Sequence, residues 1–212
     1  MIRALALALI LAIPAMAQDL PPPPAGTYTL DRGHTRLLFQ VSHLGFSQYT
    51  ALFTEMDATL TFDPANPAGM TLTATVNPAS VETHYPDPAV DFNATIAGTE
   101  FLDSAQFPDI TFASTTVTLT GDETADVTGD LTLHGVTLPL TLQVTYNGGY
   151  GANGFDPAGA RIGFSATGSL MRGAFGICFG IPVPGTEFGV GDAVKIIIET
   201  EFTSLEVAKP AP

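Results

Sequence analysis

The sequence predicts an all-β chain whose strands are joined mostly antiparallel, an arrangement that suits a closed barrel or a two-sheet sandwich. Three observations carry this. Apolar residues alternate with threonine, serine or acids in one segment after another, and long stretches of 3.6-residue period are hard to find. Threonine and glycine are abundant and lysine is scarce. The phase of the alternation also flips at His134-Gly135, which is what a two-residue β-hairpin demands, because the residues flanking its loop pair and share a face.

The chain begins with Arg3, an apolar run over 4–13 and the small-residue site Ala15-Met16-Ala17, the pattern of an export signal cleaved after Ala17. The run is too short to cross a bilayer as a helix, and no later segment offers about 18 uninterrupted apolar residues. The expectation is a mature, soluble, exported protein without stable membrane insertion. Residues 18–26, with Pro21 to Pro24, read as a stiff linker, residues 27–206 as one domain, and 207–212 as a tail.

Residues 27–31 form a first short strand, ended by the turn Asp31-Arg32-Gly33-His34. Leu37, Phe39 and Val41 alternate with Arg36, Gln40 and Ser42 in the next. Met56, Ala58, Leu60 and Phe62 mark a third, stopped at Asp63-Pro64; Met70, Leu72, Ala74 and Val76 mark a fourth, stopped at Asn77-Pro78. From 80 to 109 the period is lost. That length exceeds an ordinary hairpin loop, and one or two short helices within 91–104 are expected to cap the sheet.

Ile110 and Phe112 restart an extended segment, and Val117 and Leu119 continue it on the opposite parity, so a bulge is expected near 114–116. The hairpin follows, with Leu133 opposite Val136, Leu131 opposite Leu138 and Val127 opposite Leu142. In that register Pro139 faces Asp130 in a non-hydrogen-bonded pair, so its missing donor weakens the seam with the strand on its other side. Residues 147–159 read as a loop. Ile162, Phe164, Ala166, Gly168 and Leu170 form another strand, 172–192 an apolar but broken loop, and Val194, Ile196, Ile198 and Phe202 the last strand. Roughly eight principal strands result.

The net charge of −14 argues against nucleic-acid and anionic-headgroup partners, and the single cysteine, Cys178, excludes an intrachain disulfide framework. The greasy parity could face lipid in a membrane barrel, fill a sandwich core, or line a barrel interior. A chain with no tryptophan and 5 tyrosines lacks the aromatic girdles of the first. Small inward residues, Ala58, Ala74, Ala125, Ala166 and Gly168, leave room between larger ones, though a tapered solid core shows the same pattern. Catalytic signatures are missing: His34, His43, His84 and His134 have no H-x-H or H-E-x-x-H spacing, and there is no nucleophile elbow, P-loop or dinucleotide fingerprint. A metal-dependent enzyme built on His34 and His43 is the weakest of the open readings.

Several pieces, in this order, resemble the YceI-like family of the bacterial periplasm. They are Asp31-x-x-His34-Thr35, Phe39-x-Val41-x-His43-Leu44-Gly45, Ser80-Val81-x-Thr83 and Phe107-Pro108-Asp109-Ile110-Thr111-Phe112. Gly129-x-Leu131-Thr132-Leu133-His134-Gly135-Val136-Thr137-x-Pro139-Leu140, Arg172-x-x-Phe175-Gly176 and Gly191-Asp192-x-Val194 complete the set. The insertion departs from the family's Arg-Asp-x-x-Leu element, with Ala89-Val90-Asp91-Phe92-Asn93 in its place. The resemblance implies a soluble, eight-stranded, antiparallel, lipocalin-like barrel with a short helical insertion as cap, holding an isoprenoid chain such as a polyprenyl or quinone tail. It implies no catalytic residue, no metal and no cofactor beyond such a bound lipid, and it allows a homodimer. The candidate lining is Phe39, Val41, Leu60, Phe62, Phe112, Leu131, Leu133, Leu142 and Phe164, with Phe92, Phe101 and Phe175 from cap and loop. The alternative is a non-binding structural or stress-associated barrel.

Overall fold

The structure, a computed structural model, describes residues 20–205; the segments read as an export signal and a tail lie outside the described residues. Eleven strands form one antiparallel sheet: β1 (Gly26–Leu30), β2 (Arg36–His43), β3 (Ser47–Phe53), β4 (Met56–Phe62), β5 (Thr71–Val76), β6 (Val81–Glu82), β7 (Ile110–Leu119), β8 (Thr124–Leu133), β9 (Val136–Tyr150), β10 (Ala160–Met171) and β11 (Val190–Ser204). The sheet closes through β1-β4-β5-β7-β8-β9-β10-β11 and back to β1, a ring of eight places. The other three strands prolong broken staves. β2 follows β1 beside β11, β3 lies beside β2 as β4 lies beside β1, and β6 pairs with β3 as β5 pairs with β4. The fold is therefore an eight-staved antiparallel barrel with very little helix.

Alternation fixes which face is inside. Tyr28, Val41, Leu60, Phe62, Val76, Phe112, Leu131, Leu133, Leu140, Leu142 and Ile162 are buried, whereas the intervening threonines and acids point outward. Outward threonines pair across strands: the hydroxyls of Thr128 and Thr141 lie 2.7 Å apart and those of Thr132 and Thr137 2.8 Å. This polar exterior is the reverse of a lipid-facing barrel wall.

The hairpin has the expected register, with Leu133 opposite Val136, Leu131 opposite Leu138, Asp130 opposite Pro139 and Val127 opposite Leu142. His134 and Gly135 have φ of 51° and 76°, the signature of a type I′ turn. The expected bulge lies between Ser114 and Thr116. At Gly129 a Cβ would strike the ring of Phe112, so the glycine lets that ring lie against the wall. The β9–β10 ladder runs from Arg161 opposite Tyr150 to Thr167 opposite Gln143 and stops four residues before Pro139. Beyond it, Phe175 and Ile177, which follow β10, are buried in one cluster with Leu133 and Leu140.

Four elements depart from the sequence reading, the shortest being β6, a two-residue strand in the stretch without period. β3 went unread, because Tyr49, Ala51 and Phe53 give it only three apolar positions between polar neighbours. β9 continues to Tyr150 instead of ending at a loop from 147; Gly148 and Gly149 have no side chains to alternate, and at Gly149 a Cβ would meet the Arg161 carbonyl oxygen at 2.5 Å. β11 begins at Val190, with an irregularity before Val194. There the Gly191 carbonyl accepts from Arg172 Nε at 2.8 Å and Asp192 Oδ1 accepts from Gly173 N at 2.7 Å. The proline spacer touches the barrel, with Gly151 N donating to Pro21 O and the Tyr28 hydroxyl donating to Pro24 O at 2.8 Å.

Candidate functional site

The inward faces of the staves enclose an apolar cavity of about 610 Å³, within the range of lipid and cofactor pockets. Its polar lining residues are few, among them His43, Thr83, Thr111 and Arg172. A second chamber of about 370 Å³ adjoins it. Leu37, Leu72, Ala74, Val76, Leu142 and Ile198 line both, which makes them the waist of a single tube. Ala74 lies opposite Ala58 on one side and Phe112 on the other, so a small side chain stands where the two chambers share their lining.

Of the lining residues expected from sequence, Phe39, Val41, Phe92, Phe101, Phe112, Leu131 and Leu133 face the larger chamber. Leu60, Phe62 and Phe164 face the smaller, and Leu142 faces both. Phe175 faces neither. It is buried in the cluster beside the end of the β9–β10 ladder, and its carbonyl lies 3.1 Å from His134 Nδ1, so it fastens the hairpin tip to the chain after β10. Tyr49, Ala51 and Phe53 were missed with β3, and Tyr85 and Ile177 because they stand in segments without period.

The cap contains one helix, α1 (Phe92–Ala97), begun by Asp91, whose side chain accepts from Ala94 N at 2.9 Å. Asn93 ties it down: its Oδ1 accepts from Thr83 N at 2.8 Å and Thr83 Oγ1 at 2.6 Å, and its Nδ2 donates to Glu82. Phe92 sits between Tyr49 and Tyr85, with ring centroids 5.9 Å and 5.0 Å away, and Phe101 meets Phe179 at 5.2 Å. Phe107 lines neither chamber and packs on His134 with ring centroids 4.5 Å apart and planes tilted by 54°, pinning the end of the cap to the hairpin.

Arg172 is 5% exposed and has no carboxylate hydrogen-bonded to it among the described residues. It donates instead to the carbonyls of Gly191, Ile177, Phe179 and Val190 at 2.7–2.9 Å, cross-linking the broken loop to the start of β11. Burial pulls its pKa below the ordinary arginine value, an effect partly offset by the charge of Asp192.

The other charged cluster lies at the opposite end of β2. Arg161 Nε meets Asp156 at 2.7 Å, and its Nη1 meets Asp31 at 2.7 Å and also Glu201. Hydrogen bonds from Arg161, with His34 adding to the effect on Asp31, hold the carboxyls of Asp31 and Asp156 down to about 2. Asp31, His34 and Glu201 come within metal-ligating distance of one another, but the guanidinium already occupies their charge. His43 cannot join them: it closes β2 at the far end of eight residues, roughly 25 Å away at strand rise. The two histidines therefore do not form one site.

The profile of the YceI-like domain matches residues 28–202. Among curated proteins, a UPF0312 protein of Pseudomonas savastanoi pv. phaseolicola is 40% identical over 177 residues, covering 82% of this chain and 84% of its own. One from Pseudomonas putida is 39% identical over 156 residues, covering 72% and 77%. Among solved structures, Burkholderia cenocepacia BcnA is similar with a TM-score of 0.66 at 24% identity, covering 81% of this chain and 98% of its own. A domain from Saccharophagus degradans, described as polyisoprenoid binding and implicated in plant cell wall breakdown, has a TM-score of 0.59 at 15% identity, with coverages of 84% and 98%.

Proposed function

This chain belongs to the YceI-like family, and from that premise we propose that it is a periplasmic binding protein that sheathes the hydrocarbon chain of an isoprenoid or similar lipid and carries it through water. The observation that carries the reading is the apolar tube, two chambers of about 610 and 370 Å³ joined at a waist of aliphatic side chains. Each methylene removed from water contributes about 0.8 kcal/mol, so a chain of tens of carbons needs only an apolar sleeve of sufficient length. Directed polar groups are required for a head group, not for the tail. The polyisoprenoid-binding description of the Saccharophagus degradans domain, which shares the fold, supports the same ligand class. The export signal read at 1–17 supports the compartment. Function as a sleeve requires no bond to be made or broken, and His34 and His43 stand at opposite ends of β2.

Purification of the protein from its own host, followed by organic extraction and mass spectrometry, tests this. A long-chain lipid recovered in near-stoichiometric amount is the expected result. An empty extract from a protein whose interior is filled by side chains would leave the non-binding barrel as the account.

A further inference from the structure

The larger chamber reaches the surface between exposed His43 and Tyr85. Around that mouth stand unusually exposed apolar side chains: Phe46 is 80% exposed, Phe188 79% and Val183 72%, with Phe179, Tyr85 and Val90 partly so. They come from three separate segments brought together by the fold. The tip of the β2–β3 hairpin meets the late loop where Leu44 N donates to Gly189 O at 2.8 Å and His43 pairs with Val190, which brings together the two segments that carry Phe46 and Phe188. Phe101 of the cap touches Phe179 of the same loop. Isolated exposed apolar residues are ordinary, whereas a group rimming one opening marks an interaction surface.

We infer that this rim docks on the surface of a bilayer whose headgroups carry no net negative charge, so that a lipid chain passes between membrane and tube without crossing water. The inference rests on the carrier reading above. Continuity argues for a bilayer: the rim surrounds the mouth of a cavity whose wall is itself apolar, and seating the rim in the headgroup region joins one apolar phase to the other. Charge selects the kind of bilayer. The charged side chains at the rim include Glu82, Asp87, Asp91 and Glu187, and the arginine there, Arg172, is buried and spent on carbonyls. With a net charge of −14, the chain is repelled by anionic lipid and by a second copy of itself, but not by a zwitterionic surface. Exposed Phe and Val side chains suit such docking, since apolar groups of a peripheral protein bury at the boundary between headgroups and acyl chains.

Flotation of the full mature protein with phosphatidylcholine vesicles, and with vesicles enriched in phosphatidylglycerol, tests the inference. The expected result is co-flotation with the first and weaker binding to the second. The double variant Phe46→Ser/Phe188→Ser should lose at least tenfold in vesicle affinity while keeping its unfolding midpoint, since both rings are exposed, and its extractable lipid. Equal binding of variant and wild type, or a wild type that stays off vesicles and pairs through this rim into a dimer by light scattering, would overturn it. Extractable lipid is measured separately on the same samples: its absence from the wild type counts against the carrier reading, and a wild type that retains lipid but does not float counts against docking alone.

Discussion

Replacing Ala74 by leucine distinguishes a ligand tube from a tapered solid core. Ala74 lies at the waist shared by both chambers, between Ala58 and Phe112. Leucine adds three carbons there. In a solid core they would overpack the wall and cost about 1–3 kcal/mol. In a tube they enter vacant apolar space and, in ligand-free protein, cost nothing or add up to about 2 kcal/mol of burial. With ligand bound the sign reverses. Displacing about three methylenes of the chain at about 0.8 kcal/mol each weakens binding by about 2.4 kcal/mol, or roughly fifty-fold. Urea unfolding of lipid-stripped protein, paired with a titration of a fluorescent polyprenyl probe, reads both quantities. A stripped variant destabilised by more than 1 kcal/mol, with probe affinity unchanged, would refute the tube.

Three further outcomes follow from the geometry. Phe164→Asp places a carboxylate in the smaller chamber beside Tyr146 and Phe202 and should abolish lipid retention, whereas Thr141→Asp, on the outer face, should leave it intact; equal effects in the extracted-lipid assay would show the parity assignment to be wrong. Asp31 and Asp156 have folded-state pKa values of about 2, below the usual carboxylate value near 4, so their contribution to stability is present above about pH 4 and lost as pH falls toward 2. Arg161→Met should remove much of that acid-limb slope in urea titrations, and an unchanged slope would separate the cluster from acid stability. Gly135→Ala should cost about 1–2 kcal/mol for its left-handed backbone alone, and more because a Cβ would come within 2.5 Å of Phe107; an unfolding midpoint equal to wild type would contradict the tight turn.

Much of the wall was legible because burial on one face of a strand writes a period of two into the sequence. The phase flip at His134-Gly135 and the parity change near Ser114 gave the hairpin register and the bulge outright. Broken staves were harder to read. Leu30 and Arg36 belong to one stave interrupted by a turn, and so do Phe53 and Met56; nothing local says that such neighbours share a place in the ring. Gly148 and Gly149 hide a strand by having no side chains to alternate. Residues of irregular segments, such as Tyr85 and Ile177, reach the cavity through tertiary contacts that leave no periodic trace. The free volume itself was not readable, since alternating alanine and phenylalanine describes a packed taper and a hollow tube equally well. Phe175 shows the same limit from the other side: its apolar character fitted a lining, and its place beyond the β9–β10 ladder made it a fastening.

The most direct measurement is the crystal structure of the protein purified with its native ligand. Continuous density for a hydrocarbon chain, running from the Phe101 side of the larger chamber through the waist at Ala74 and Leu142 to Phe164, is the predicted result. An interior closed by its own side chains, with no chain density in either chamber, would contradict it.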